Sequence, residues 1–157
     1  MNYYLKKVEK NKKELLFRLL QYSLYEESKN DGNEMNNDGI FEYKYFDLYF
    51  SDSSREAYFI MEKDSDKILG FVMINEYLKI VKEGHSIAEF LVLPKYRRNK
   101  IGKRVAMECI NKYKGKWEIS PSLGSDVAYS FWNNVVKSLT KDYRFDEENK
   151  IFILNVE

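Results

Sequence analysis

Between Lys95 and Arg104 the sequence places six cations, Lys95, Arg97, Arg98, Lys100, Lys103 and Arg104, around one glycine, Gly102. Surface charge runs usually mix signs, and this one does not. Upstream, SIAEFLVLP predicts a buried strand stopped by Pro94. Downstream, Ile101, Val105, Cys109 and Tyr113 recur at helical spacing and predict a helix from about Ile101 to Lys114, ended by Gly115. The cations therefore flank a helix start, where unpaired backbone N–H groups and the positive end of the helix dipole already favour an anion. A compact polyanion such as the diphosphate of a nucleotide cofactor suits that arrangement. Gly102 would let it approach the backbone, since no side chain stands between. Neither a P-loop nor a GxGxxG fingerprint is present. A solvated, charged helix start is the other reading that these residues admit.

Glu89 is the next residue with chemical potential. It lies mid-strand in an otherwise apolar run, where an ionisable group needs a partner or a task. It reads as a general base or as a carboxylate satisfied by a neighbouring strand. His85, the only histidine, stands at the start of that strand and reads as structural or exposed before it reads as a base. Cys109, the only cysteine, falls inside the apolar helical pattern as a small hydrophobe, which leaves no disulfide and no metal site of the cysteine and histidine kind. Residues 31–50 carry Asp31, Glu34, Asp38, Glu42 and Asp47 against Lys44, interleaved with Phe41, Tyr43, Tyr45, Phe46, Tyr49 and Phe50. That mixture suits a cationic amine through charge and cation–π contacts. It equally describes an amphipathic segment packed on a sheet.

The elements that must hold these residues follow from pattern. NYYLKKV is a weak strand signal, and Asn11 with Glu14 resembles a capping box ahead of the stripe Leu15, Leu16, Leu19, Leu20 and Leu24. Lys29 to Ile40 turns to Asn, Asp and Gly, which favour turns. AYFIMEK and KILGFVMIN, separated by DSD, predict a hairpin buried on both faces. After the basic turn and its helix come the strand KWEIS, the loop PSLG, a helix N-capped by Ser125 and carrying Val127, Ala128, Phe131, Trp132 and Val135, and a closing hairpin YRF and IFILNV. The 157 residues suffice for one domain, 1–157, with a core of its own. Lys plus Arg is 26 and Asp plus Glu is 25, so no global field attracts nucleic acid or an anionic membrane. No apolar run reaches the roughly 18 residues of a span, and no leader-like segment opens the chain, so a cytoplasmic protein is expected.

Ala88 to Arg104, AEFLVLPKYRRNKIGKR, resembles the coenzyme A signature of the GNAT acetyltransferase superfamily: a strand ending in apolar-x-Val-x-Pro, then Tyr-Arg, then R/Q-x-x-G-x-G/A opening a helix. The order of predicted elements is similar too. Lys100 stands where the family usually has its first glycine. SDVAYSFW resembles the family's N-x-x-A-x-x-F-Y helix, with Ser125 for the asparagine and Trp132 for the tyrosine that in many relatives protonates the thiolate. An indole has no proton to give near neutral pH.

The resemblance implies an α/β fold, a mixed and mostly antiparallel sheet flanked by helices, with a splayed strand pair that holds coenzyme A. It implies acetyl transfer from acetyl-coenzyme A to a primary amine, small and cationic, by direct attack in a ternary complex without a metal. The splayed strand Phe90 to Leu93, with Leu91, Val92 and Leu93 at the cofactor, would pair with the pantetheine arm and leave the Leu91 N–H as oxyanion donor. Arg97, Arg98, Asn99, Lys100, Ile101, Gly102 and Lys103 would hold the diphosphate. Ser125 and Trp132 would line the cofactor, Glu89 would act as base, and Tyr129 is the substitute acid. The acceptor would be a small molecule or a peptide amine, with neither nucleic acid nor membrane as partner, and IFILNV could pair across a homodimer. Two alternatives stay open: a non-catalytic or regulatory coenzyme A-binding module, and a nucleic-acid-binding domain that uses the basic turn.

Overall fold

A computed structural model describes all 157 residues. Seven strands form one sheet: β1 (Tyr3–Lys7), β2 (Arg55–Glu62), β3 (Ile68–Asn75), β4 (His85–Val92), β5 (Gly115–Ile119), β6 (Tyr143–Asp146) and β7 (Ile151–Val156). Their order is β1-β2-β3-β4-β5-β7-β6, and only β4 and β5 run parallel. The sheet is thus mixed and mostly antiparallel, as the resemblance implied. Three helices cover it: α1 (Lys13–Asp31), α2 (Ile101–Asn111) and α3 (Asp126–Leu139).

The two faces carry separate cores because β2 and β3 are apolar on both sides. One core joins Val72, Ile74, Ile87 and Val92 to the inner stripes of α2 and α3 around the fully enclosed Trp117. The other sets Leu16, Leu20 and Leu24 of α1 against Phe59, Phe71 and Met73. Its edge is filled by the aromatic segment, where Phe46–Phe50 form a 3-10 turn and Phe46 packs edge-on to Phe17 at 5.1 Å.

Several expectations need correction. Lys12, not Asn11, caps α1, and no side chain accepts there, because a 3-10 turn over Lys10–Lys12 leads into the helix. The helix also runs past Lys29 to Asp31 and ends on Gly32 in the left-handed region. Helix α2 stops at Asn111, and Gly115, with φ 107°, opens β5 instead of capping the helix. The IFILNV strand is internal, between β5 and β6, so it offers no free edge to a second copy. The edges are β1 and β6.

One buried carboxylate secures the crossing from β3 to β4. Glu118 of β5 is 4 % exposed and accepts the N–H groups of Lys79 (2.9 Å), Ile80 (2.9 Å) and Val81 (2.6 Å). Three convergent amides solvate the charge and fix residues 79–81 over the sheet. Glu118→Ala removes the shared acceptor of three part-buried donors, and should lower stability by about 2 kcal/mol, read as a reduced denaturant midpoint with unchanged slope.

Candidate active site

Strand β4 is where the sheet opens. It pairs with β5 only through His85–Trp117, Ser86–Glu118 and Ile87–Ile119, whereas its ladder with β3 continues to Val92. The cause is local. Met73 faces Glu89 and the next β3 residue, Ile74, faces Ile87, so β4 holds an extra residue, Ala88. A bulge of this kind sharpens the twist and turns the strand away from its neighbour. Beyond Ile87 the β5-facing edge of β4 has no strand partner.

The ladder also decides which backbone groups face that open edge. Leu93 N–H donates to Leu69 O at 2.8 Å, and hydrogen-bonded pairs recur every second residue, so Leu91 is turned toward Phe71 on β3. A Cβ built on Gly70 would overlap the Leu91 carbonyl oxygen, which shows that this carbonyl points into the β3–β4 ladder. The expected Leu91 donor is therefore off by one: Phe90 and Val92 present their N–H groups to the opening. Val92 O already accepts Arg97 Nε at 2.8 Å from that side.

Past Pro94 the chain makes a 3-10 turn and then curls, with Arg98 (φ 71°) and Lys100 (φ 60°) both in the left-handed region. A β-carbon costs about 1–2 kcal/mol there, which explains why glycine is usual at the position Lys100 holds. The curl gathers amides into a concave nest. The first intrahelical bond of α2 is Arg104 N–H to Lys100 O, and the N–H groups of Arg98, Asn99, Lys100, Ile101, Gly102 and Lys103 have no protein acceptor. The cations divide. Arg97 is bound to Val92, Arg104 bonds Met1 O and covers Tyr3, and Lys95 lies over Tyr96. Arg98, Lys100 and Lys103 have no partner in the protein and stand around the free amides.

Gly102 also answers a packing demand. A Cβ there would meet Phe131 Cε1 at 3.2 Å and Val92 Cγ2 at 3.7 Å, so its missing side chain admits α3 against α2. Ser125 is the N-cap of α3, accepting Ala128 N–H at 3.0 Å. Trp132 is 7 % exposed and packs edge-on to Phe90 at 5.2 Å, filling the core under β4. Tyr129 leans the other way, onto Phe145 and Phe152 of the terminal hairpin. It lies on the α3 face of the sheet, opposite the face that holds Glu89. His85 stacks on Tyr113 at the closed end of β4, 4.2 Å between ring centres.

The bulge puts Ala88 and Glu89 on the same face, the one covered by α1. There Glu89 Oε2 accepts the Tyr43 hydroxyl at 3.1 Å. Its neighbours are acidic. Leu16, Leu20, Ser23 and Glu27 follow one another at helical spacing on the sheet-facing stripe of α1, and the stripe turns from apolar to acidic where it passes Glu89. Burial first, then the charges of Glu27 and Asp31, push the Glu89 carboxyl up to about 8, and burial with Asp31 raises Glu27 as well. No ion pair relieves either carboxylate. Sequence reading missed Glu27 because its acidity is unremarkable on a helix; only the stripe register could have flagged it. Gly124, pressed against the Asn30 side chain, brings the β5–α3 loop to this end of α1. A cleft of about 690 Å³ between the first turns of α1 and residues 42–47 has Tyr43 in its wall.

The raised carboxyls bear on stability. A group whose pKa is higher in the folded state holds its proton more tightly there, so its contribution falls as pH climbs from the ordinary carboxylate range through the raised value. Glu27→Gln removes one of the two like charges. Its melting temperature should exceed the wild type's at pH 9 by about 2–4 °C, allowing for solvent screening, and match it at pH 4.

Comparison with known proteins gives a consistent picture. The model of the acetyltransferase (GNAT) family matches residues 21–130. Among solved structures, an acetyltransferase from Thermus thermophilus superimposes with a TM-score of 0.67 at 14% identity, covering 98% of this chain and 96% of that one. A domain from Methanocaldococcus jannaschii gives 0.66 at 14%, with 99% of each chain covered. Aminoglycoside acetyltransferase AAC(6')-Ib, in complex with coenzyme A and kanamycin, gives 0.63 at 11%, with 98% and 95% covered. These likenesses show the fold. A search of curated proteins finds no match.

Proposed function

The chain belongs to the acetyltransferase (GNAT) family, and on that premise we propose that it transfers an acetyl group from acetyl-coenzyme A to a small cationic primary amine by direct attack in a ternary complex. The observation that carries this reading is the run of six unpaired amides, Arg98 to Lys103, among three free cations beside the open edge of β4. Orphaned donors at a helix start fit a diphosphate, and an unpaired strand edge fits an extended, amide-bearing arm.

Acetyl-coenzyme A, when bound, supplies the acetyl group as an activated thioester. Arg98, Lys100 and Lys103 with the free amides hold its diphosphate. The Phe90 or Val92 N–H is the donor for the thioester carbonyl, a contribution worth roughly 3 kcal/mol. Glu89 removes the proton from the incoming ammonium, directly or through water, and must be ionised to do so. The acidic end of α1 concentrates cationic amines at that carboxylate. A thiol with pKa near 8.5 departs readily as thiolate, so no dedicated acid is required, and solvent or the product ammonium returns the proton. Polycationic amines and basic peptide amino groups both suit the site. The neighbour solved with kanamycin supports the first.

Two outcomes test this reading. Coenzyme A should bind in a calorimeter with an affinity that falls as salt rises, and Arg98→Ala or Lys103→Ala should weaken it about tenfold. No binding heat at millimolar coenzyme A would contradict the reading. With any amine found by screening, kcat/KM should climb with pH to an inflection near 8, because Glu89 becomes a base only as it ionises. Glu89→Gln should abolish that inflection and lower turnover at pH 8 by roughly 10²-fold, with coenzyme A affinity nearly unchanged.

A further inference from the structure

Glu89 accepts a hydrogen bond from Tyr43 at the edge of a cluster of polar side chains from β3, β4 and the aromatic segment. Ser86 Oγ donates to Asn75 Oδ1 at 2.8 Å, and the Tyr77 N–H donates to the same oxygen at 3.0 Å. These bonds fix the Asn75 amide, whose Nδ2 donates to the Tyr49 hydroxyl at 3.0 Å. Tyr49 lies beside Tyr43, and Tyr43 donates to Glu89 Oε2 at 3.1 Å.

Packing alone does not account for this array, because phenylalanines would fill the same space without buried hydroxyls to satisfy. The surroundings of Glu89 supply the reason. Glu27 and Asp31 face it from α1, Tyr43 from the aromatic segment and Tyr49 from the 3-10 turn; Arg55 reaches only as far as Tyr49. No cation faces the carboxylate. The Tyr43 bond is the one interaction that favours its charged form. Gln21 holds the segment that delivers Tyr43, accepting Phe41 N–H and donating to Phe41 O, both at 2.8 Å.

We infer that Tyr43 is the positioning residue for Glu89: its hydroxyl holds Oε2 and sustains the ionised carboxylate, leaving Oε1 for the acceptor's ammonium. This rests on the reading of Glu89 as the base. Tyr43 itself is no proton relay, since burial and the Glu89 charge hold its hydroxyl far above the usual phenol range.

The test follows the Glu89 side-chain carboxyl by NMR in protein labelled with ¹³C-glutamate, without coenzyme or amine. In Tyr43→Phe the midpoint should rise by about one pH unit. An unmoved or lowered midpoint in folded Tyr43→Phe would reduce Tyr43 to packing; if that variant fails to fold, Gln21→Ala, which releases the segment that delivers Tyr43, decides in the same way. Because the titration needs no substrate, it fails separately from the catalytic reading. An unmoved midpoint beside an inactive Glu89→Gln sinks the role of Tyr43 alone, whereas full turnover by Glu89→Gln removes the base and the positioning role together.

Discussion

An unpaired strand edge inside the sheet organises the rest of this molecule. Backbone N–H and C=O groups exert a steady demand for partners, and a central strand ordinarily meets it on both sides. Strand β4 meets it on one side only from Ala88 onward, because the extra residue at the bulge turns it away from β5. The opening so formed is lined by backbone, which makes it insensitive to side-chain identity and well suited to an extended ligand that carries its own amides. Trp132, Phe131 and Phe90 fill the floor of that opening and keep it from collapsing.

The same bulge separates the two electrostatic ends of the site. At the C-terminal end of β4 the chain enters a curl of left-handed residues whose amides and lysines face outward. On the α1 face, the one extra residue lets Ala88 and Glu89 point the same way and brings Glu89 under the acidic end of α1. In the proposed function the polyanion and the cationic acceptor take adjacent places along this one strand. Like charges buried together are unfavourable for the fold, and Glu27 and Glu89 have no basic neighbour to offset them. An incoming ammonium would do so, which, in the proposed function, links acceptor binding to ionisation of Glu89.

Much of the fold was legible because it depends on short-range signals. Helical spacing found α2 and α3, Ser125 announced its own cap, and Pro94 marked the end of β4. What escaped depends on pairing. Whether Leu91 or Phe90 faces the opening is a matter of ladder parity, and parity is reset by a bulge that no residue in AEFLVLP declares. Gly102 also meets a packing demand that its own neighbourhood in the sequence does not reveal, since the ring that crowds a side chain there, Phe131, is about thirty residues away. Glu27 and Tyr43 are ordinary residues locally; their significance appears only when α1 and the aromatic segment are laid across β4. Strand order, which places IFILNV inside the sheet, is likewise a property of the whole chain.

The most direct measurement is an amide titration: ¹⁵N-labelled protein, coenzyme A added stepwise, and each backbone resonance followed. The account expects the largest shifts at Arg98 to Lys103 and at Phe90 and Val92, with Leu91, whose N–H belongs to β3, moving less than either neighbour. Shifts confined to other surfaces, or none at saturating coenzyme, would contradict it.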